Sequence, residues 1–307
     1  MQSFRSKKII IRSAVLALLL ASLALAGCSA LRLGYGNGPQ LGWWWLDGYF
    51  DFSRDQSPLV KRTIDAWFEW HRSTQLADYA ALLASARQQV LEPTTAQAAC
   101  RWQNRVRDQL EPALQRAISD FADIVPVLGE AQLRQLDKRH AGNNDELRRD
   151  FLQPDPVLRQ RETVKRALER AERVYGSLDE PQLRVLNAGI AASPFNSEMW
   201  LADRQRRQRD VAQTLRKLIN ERADKPQRVA ALRALVQRTE QSPNLEHRAY
   251  QQRLADYNCA LAAQIHNATT AAQRRTARER LQGWEVDLRS LAERTEGAVP
   301  MPGAAGG

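Results

Sequence analysis

Histidine and cysteine are scarce in this chain, with four histidines and three cysteines among 307 residues. His71, His140, His247 and His266 lie far apart and have no companion cysteine or carboxylate motif, so the common structural metal patterns are excluded. Neither a metal nor a cofactor is expected. No stretch alternates apolar and polar residues over the length of a strand, and no regular glycine-rich turns recur, which argues against a sheet. A zinc finger, a ribonucleoprotein motif and a glycine-rich recognition loop are all missing, so nucleic acid is not an expected partner. No base and nucleophile stand at a telling spacing. Glu69 and His71 are two apart and diverge on a helix, and Asn196, Ser197 and Glu198 read as a helix start. The chain therefore reads as noncatalytic, with cleavage of an envelope glycan as the enzyme class that conflicts least with it.

A basic head is present instead, made by Arg5, Lys7, Lys8 and Arg12, followed by an apolar run at residues 14–26 broken only by Ser22. That run is too short for a mature transmembrane helix and fits a signal peptide over residues 1–27. It closes on Leu25-Ala26-Gly27-Cys28, which resembles the lipobox of bacterial lipoproteins. The resemblance implies cleavage before Cys28 and acylation of its sulfur and new amino terminus. Membrane lipid is then the first partner, reached through Cys28; several acyl chains hold firmly where one holds only marginally. Ser29 stands where an aspartate commonly retains such proteins at the inner membrane, so the resemblance favours the outer membrane with the body in the periplasm.

Of the 45 basic residues four belong to the leader, which leaves 41 against 35 acidic ones, a mild surplus spread along the chain. Such a surplus suits an anionic membrane surface. After the anchor only Cys100 and Cys259 remain. An oxidising periplasm would let them form a disulfide, and the alternative is a pair of buried thiols that never meet.

The remainder is all-α: a multi-helix bundle or stacked helical hairpins. Four glycines and Pro39 make residues 28–42 read as a lipid-anchored tether or irregular loop. Residues 43–295 form the helical domain, with two subdomains as an option, and residues 296–307 a disordered tail. Ser57-Pro58, Asp155-Pro156, Glu180-Pro181, Ser193-Pro194 and Ser242-Pro243 mark helix starts. Pro112 leaves residues 94–125 as one long helix or two, and residues 130–139 and 145–152 read as separate short helices.

Three adjacent tryptophans, Trp43, Trp44 and Trp45, cannot share one side of a helix. A helix there would put Trp43, Leu46 and Phe50 together. With Tyr49 and Phe50 this aromatic block closes the bundle, meets the headgroup layer, or binds a partner. Arg204, Arg206, Arg207 and Arg209 form the second candidate binding feature, for an anionic glycolipid or an acidic protein. Their competing role is intramolecular pairing with Asp203 and Asp210.

The lipobox, Leu33-Gly34-Tyr35, residues 43–52, and Ser-Pro-Phe-Asn-Ser-Glu-Met-Trp at 193–200 together resemble a family of uncharacterised proteobacterial helical lipoproteins. That resemblance implies no activity. Leu128, Gln132 and Leu136 repeat as Leu178, Gln182 and Leu186, with a weaker third copy ending at Gln56. These starts are similar to the Leu-Thr-x-x-Gln motif of periplasmic helical chaperones, although Gly129 and Asp179 replace the threonine. The functional expectation is an envelope lipoprotein that binds a protein or an anionic envelope component. The alternative is a holdase for unfolded outer-membrane clients.

Overall fold

The computed structural model describes residues 30–293, so the leader, Cys28 and the tail from Glu296 lie outside the described residues. Among the described residues every regular element is helical. Residues 30–36 form a first helical stretch, followed by α1 (Gly38–Phe50), α2 (Ser57–Thr74), α3 (Leu76–Gln89) and α4 (Ala96–Ile124). A 3-10 turn, Val125–Val127, leads into α5 (Glu130–Phe151), α6 (Pro156–Tyr175), α7 (Glu180–Ala191) and α8 (Ser197–Asn220). Then come α9 (Lys225–Glu240), α10 (Leu245–Ala268) and α11 (Ala271–Glu293).

The long α4 organises the body. Its second half carries Ile118, Ala122 and Ile124 into a core shared with Phe50, Phe52, Val60, Leu133, Leu136, Leu215, Leu218, Leu232 and Leu235. Its first half packs on α10, and the Cys100–Cys259 disulfide joins the two helices with Cα atoms 5.3 Å apart. The tightest helix pair is α3 with α11, where Ala80 and Ala277 are both fully buried. Small side chains at the contact let the two backbones approach closely. Pro112 does not split α4: it lies on the exposed side, where water can serve the carbonyl that loses its partner.

Two departures from the sequence expectations matter. The glycine-rich stretch is helical through residues 30–36 and α1, not an irregular tether. It is docked at several points. Arg32 Nε lies 2.8 Å from the carboxylate of Asp287, which is fully buried on α11. The Tyr35 hydroxyl is 2.8 Å from His71 Nδ1. Burial pushes the Tyr35 phenol up to about 12 and lowers His71, so a neutral phenol pairs with a neutral imidazole. A Cβ at Gly38 would collide with the Phe68 ring, so glycine is what lets α1 lie against α2. The second departure is α5, one continuous helix where two short ones were expected. Asn144, at the presumed break, is buried and held by α8: it donates to Gln208 at 2.8 Å and accepts from Arg204 at 3.2 Å.

The repeated glutamine starts form two interlocked clasps. In the first, the Oε1 of Gln56 accepts from Ser53 N at 2.8 Å, and that of Gln132 accepts from Gly129 N at 3.1 Å. Gln132 Nε2 donates to Gln56 Oε1 at 3.2 Å and to the Asp51 carbonyl at 3.3 Å, while Gln56 Nε2 reaches the Val127 carbonyl. In the second, Gln182 caps Asp179 N at 3.0 Å and Gln273 caps Thr270 N at 2.9 Å. Gln182 Nε2 donates to the Ala268 carbonyl at 3.0 Å, and Gln273 Nε2 to the Ser177 carbonyl at 2.8 Å. In both clasps each glutamine reaches the carbonyl five residues before its partner. Each glutamine thus closes its own helix start and pins another helix to it. Gly129 has no side-chain acceptor, so its start has only the backbone half of the box.

Candidate functional site

An open groove of about 760 Å³ lies between α6 and the start of α8. Phe151 at the end of α5, Ile190 and Ala191 at the end of α7, and Leu254 and Asn258 on α10 also line it. Local chemistry fixes both walls. Asp155 caps α6 by accepting from Val157 N at 2.8 Å, and Pro156 sets its first turn. Asn196 caps α8 by accepting from Glu198 N at 3.0 Å and Met199 N at 2.9 Å. Asn196 N in turn donates to the Tyr250 hydroxyl at 2.8 Å, which fastens the loop before α8 to α10.

One wall is cationic. Arg159, Thr163, Arg166 and Arg170 are spaced four, three and four apart, so one face of α6 lines the groove. The other wall is aromatic. The Phe151 and Trp200 rings are 5.3 Å apart, and Phe195 and Trp200 are 6.1 Å apart. Arg166 joins the walls, with its guanidinium 4.0 Å from the centre of the Phe151 ring. Burial draws Arg166 below the usual arginine value, against the opposing pull of Glu162, Asp150 and Glu169. It remains a cation at neutral pH. Three arginines line the groove against one carboxylate, Glu198. Arg159 Nε donates to the Gln153 carbonyl at 3.1 Å, and Arg166 donates to the Asp150 carbonyl at 3.4 Å and to Thr163 Oγ1 at 3.2 Å. The other guanidinium N–H groups and the positive charge can still hold an anion while apolar or ring-shaped groups lie on the aromatic wall.

The features singled out from sequence are placed differently. Trp43 packs against Phe52 and under Lys61, whose ammonium is 4.6 Å from the ring centre. Phe50 is buried in the core, and Leu46 and Tyr49 pack against that core. Tyr49 also accepts from Asn143 Nδ2 at 2.9 Å. Trp44 and Trp45 are 62% and 64% exposed, so the block divides between core and surface. Of the arginine cluster, Arg206 and Arg207 both pair with Asp203 at 2.9 Å, and Arg204 is bound to Asn144. Asp210 is taken by Arg238 at 2.8 Å, whose hydrogen bonds hold the Asp210 carboxyl below the usual carboxylate range. Arg209 is left exposed. This cluster is therefore mostly occupied within the fold. His71 stacks on Trp67 at 4.6 Å rather than facing the exposed Glu69.

Sequence reading missed the groove arginines, although their helical spacing was a readable signal. The aromatic wall was not readable, because Phe151 and Trp200 meet only through the packing of α5 on α8. Among the described residues no cluster of three potential metal ligands occurs, and no helix is long and apolar enough to cross a membrane. No curated protein and no solved structure matches the chain. The model of a family of unknown function, DUF6279, matches residues 48–251, which include the groove's α6 wall and the Asn196-capped start of α8, and the chain belongs to that family.

Proposed function

We propose that this chain is a noncatalytic envelope lipoprotein that binds an anionic envelope component in the groove between α6 and α8. Cys28 carries the acyl chains, and the outer membrane holds the helical body in the periplasm. One observation carries the reading: Arg159, Arg166 and Arg170 line the same groove as Phe151, Phe195 and Trp200. Its volume of about 760 Å³ suits a ligand of small-molecule size or the end of a larger amphiphile. A guanidinium seated beside a ring exchanges charge-assisted hydrogen bonds in partly dry surroundings, where they are stronger than in water.

The test is photocrosslinking in cells of the native host, with benzoylphenylalanine at Phe195 in the full chain. The expected result is an adduct whose mass reveals a phosphate- or carboxylate-bearing component. The R166Q/R170Q variant removes two charge-assisted contacts of about 1.5–3 kcal/mol each, and should lower capture at least tenfold at equal expression. Capture that is unchanged in R166Q/R170Q, or adducts with uncharged species only, would contradict the proposal.

A further inference from the structure

The exposed side of α1 has no part in the groove or the core. Leu41, Trp44 and Trp45 lie at i, i+3 and i+4, so they share one helical face, and they are 49%, 62% and 64% exposed. Leu33, on the preceding helical stretch, is 64% exposed. Water gains nothing from two adjacent bare indoles, and such apolar strips mark contact surfaces. Cations stand beside the strip: Lys61 over Trp43, and Arg139 with its guanidinium 5.8 Å from the centre of the Tyr49 ring. The carboxylate of Asp47 is turned away to accept from Phe52 N at 3.0 Å. Asp65 is the acidic residue beside Lys61 in the shallow dent under Trp43.

The position of this strip in the chain says what covers it. Cys28 is two residues before Ala30, a reach of at most about 7 Å. From Ala30 onward the chain has no slack. It is helical, Arg32 is paired with the buried Asp287, Tyr35 is bonded to His71, and Gly38 is seated under Phe68. Trp45 is then no farther from Ala30 than fifteen residues of helix, about 22 Å. If Cys28 is at the bilayer, the body has no free tether on which to stand off, and this strip is bare apolar surface within that reach.

We infer that Leu33, Leu41, Trp44 and Trp45 form a membrane seat that lies in the headgroup layer and fixes the orientation of the body. The inference rests on the lipid anchor proposed above. Indole rings favour that layer because one edge is apolar and the ring N–H can still reach water or phosphate. The flanking Lys61 and Arg139 suit anionic headgroups.

The test uses the full acylated chain reconstituted in vesicles of phosphatidylethanolamine and phosphatidylglycerol containing lipids brominated near the headgroup. Two of eight tryptophans should be quenched, roughly a quarter of the emission. The W44F/W45F variant should lose that quenched fraction while keeping its circular dichroism and its flotation with vesicles. Quenching of the same size in W44F/W45F, or none in the wild type although the chain floats, would remove the seat and leave the anchor standing. Copies that crosslink through position 44 with no quenching would assign the face to a dimer and overturn the seat. A chain that bears no acyl groups and does not float would remove anchor and seat together.

Discussion

Replacing both Cys100 and Cys259 by serine should lower the stability of the body by about 4 kcal/mol and its unfolding midpoint by about 8 °C. The bridge spans 159 residues of sequence. Closing so long a loop removes much of the freedom of the unfolded chain, by about 5 kcal/mol on the chain-entropy model, at the upper end of measured values. The bridge also lies where the fold has most need of it. Cys100 stands near the start of α4 and Cys259 in the middle of α10, so it ties the organising helix to the second half of the body. Thermal unfolding followed by circular dichroism, on oxidised wild type, reduced wild type and C100S/C259S, measures the effect. Reduced wild type should unfold close to the double variant. A shift below about 1 kcal/mol would mean that α4 and α10 hold together without the bridge.

The second large effect is expected at Gln182. Changing it to alanine removes the acceptor for Asp179 N and the donor to the Ala268 carbonyl, and leaves Gln273 without its partner. Gln182 is only 4% exposed, so water cannot readily replace those bonds. Several buried groups left unsatisfied put the cost at about 3 kcal/mol. Gln227 provides the control. It forms the same capping box, with Asp224, but it is exposed and joins no clasp. Q227A should cost no more than about 1 kcal/mol. Equal losses from Q182A and Q227A, measured by urea unfolding, would mean that the clasp adds nothing to the cap.

These glutamines also show where sequence reading stopped. The starts at Gln132 and Gln182 were visible as a repeat, and Gln56 as a weaker copy. Gln273 was not, because Thr270 and Gln273 have no leucine before them to complete the pattern. That the four form two pairs depends on contacts across 76 and 91 residues, which local spacing does not encode. In this fold the glutamines hold helix ends together inside the body.

The starts of α6 and α7 were legible because aspartate and proline act locally on the first turn, whereas α8 and α10 begin after Ser193-Pro194 and Ser242-Pro243, capped by Asn196 and Asn244. Misjudged elements were those in which a distant partner overrode the local signal. Glycines 34–42 suggest a loop, yet Gly38 is needed for the close approach to Phe68. Residues 140–144 suggest a break, yet Asn144 is held by Gln208 and Arg204 from α8. For the arginines at 204–209 the sequence left a binding role and pairing with Asp203 and Asp210 both open, and in the fold Arg206 and Arg207 pair with Asp203. The groove's cationic face was periodic along α6 and could have been found. Its aromatic wall could not, since Phe151 and Trp200 are brought together only by the fold.

Place of action, the membrane seat and access to an anionic envelope component all depend on the fate of Cys28. The most direct measurement is the mass of the N-terminal peptide of the chain isolated from its native host. The predicted peptide begins at Cys28 and carries fatty acyl groups on the sulfur and the amino terminus. A peptide that still contains the leader, or one that begins at Cys28 without acyl mass, would contradict the account.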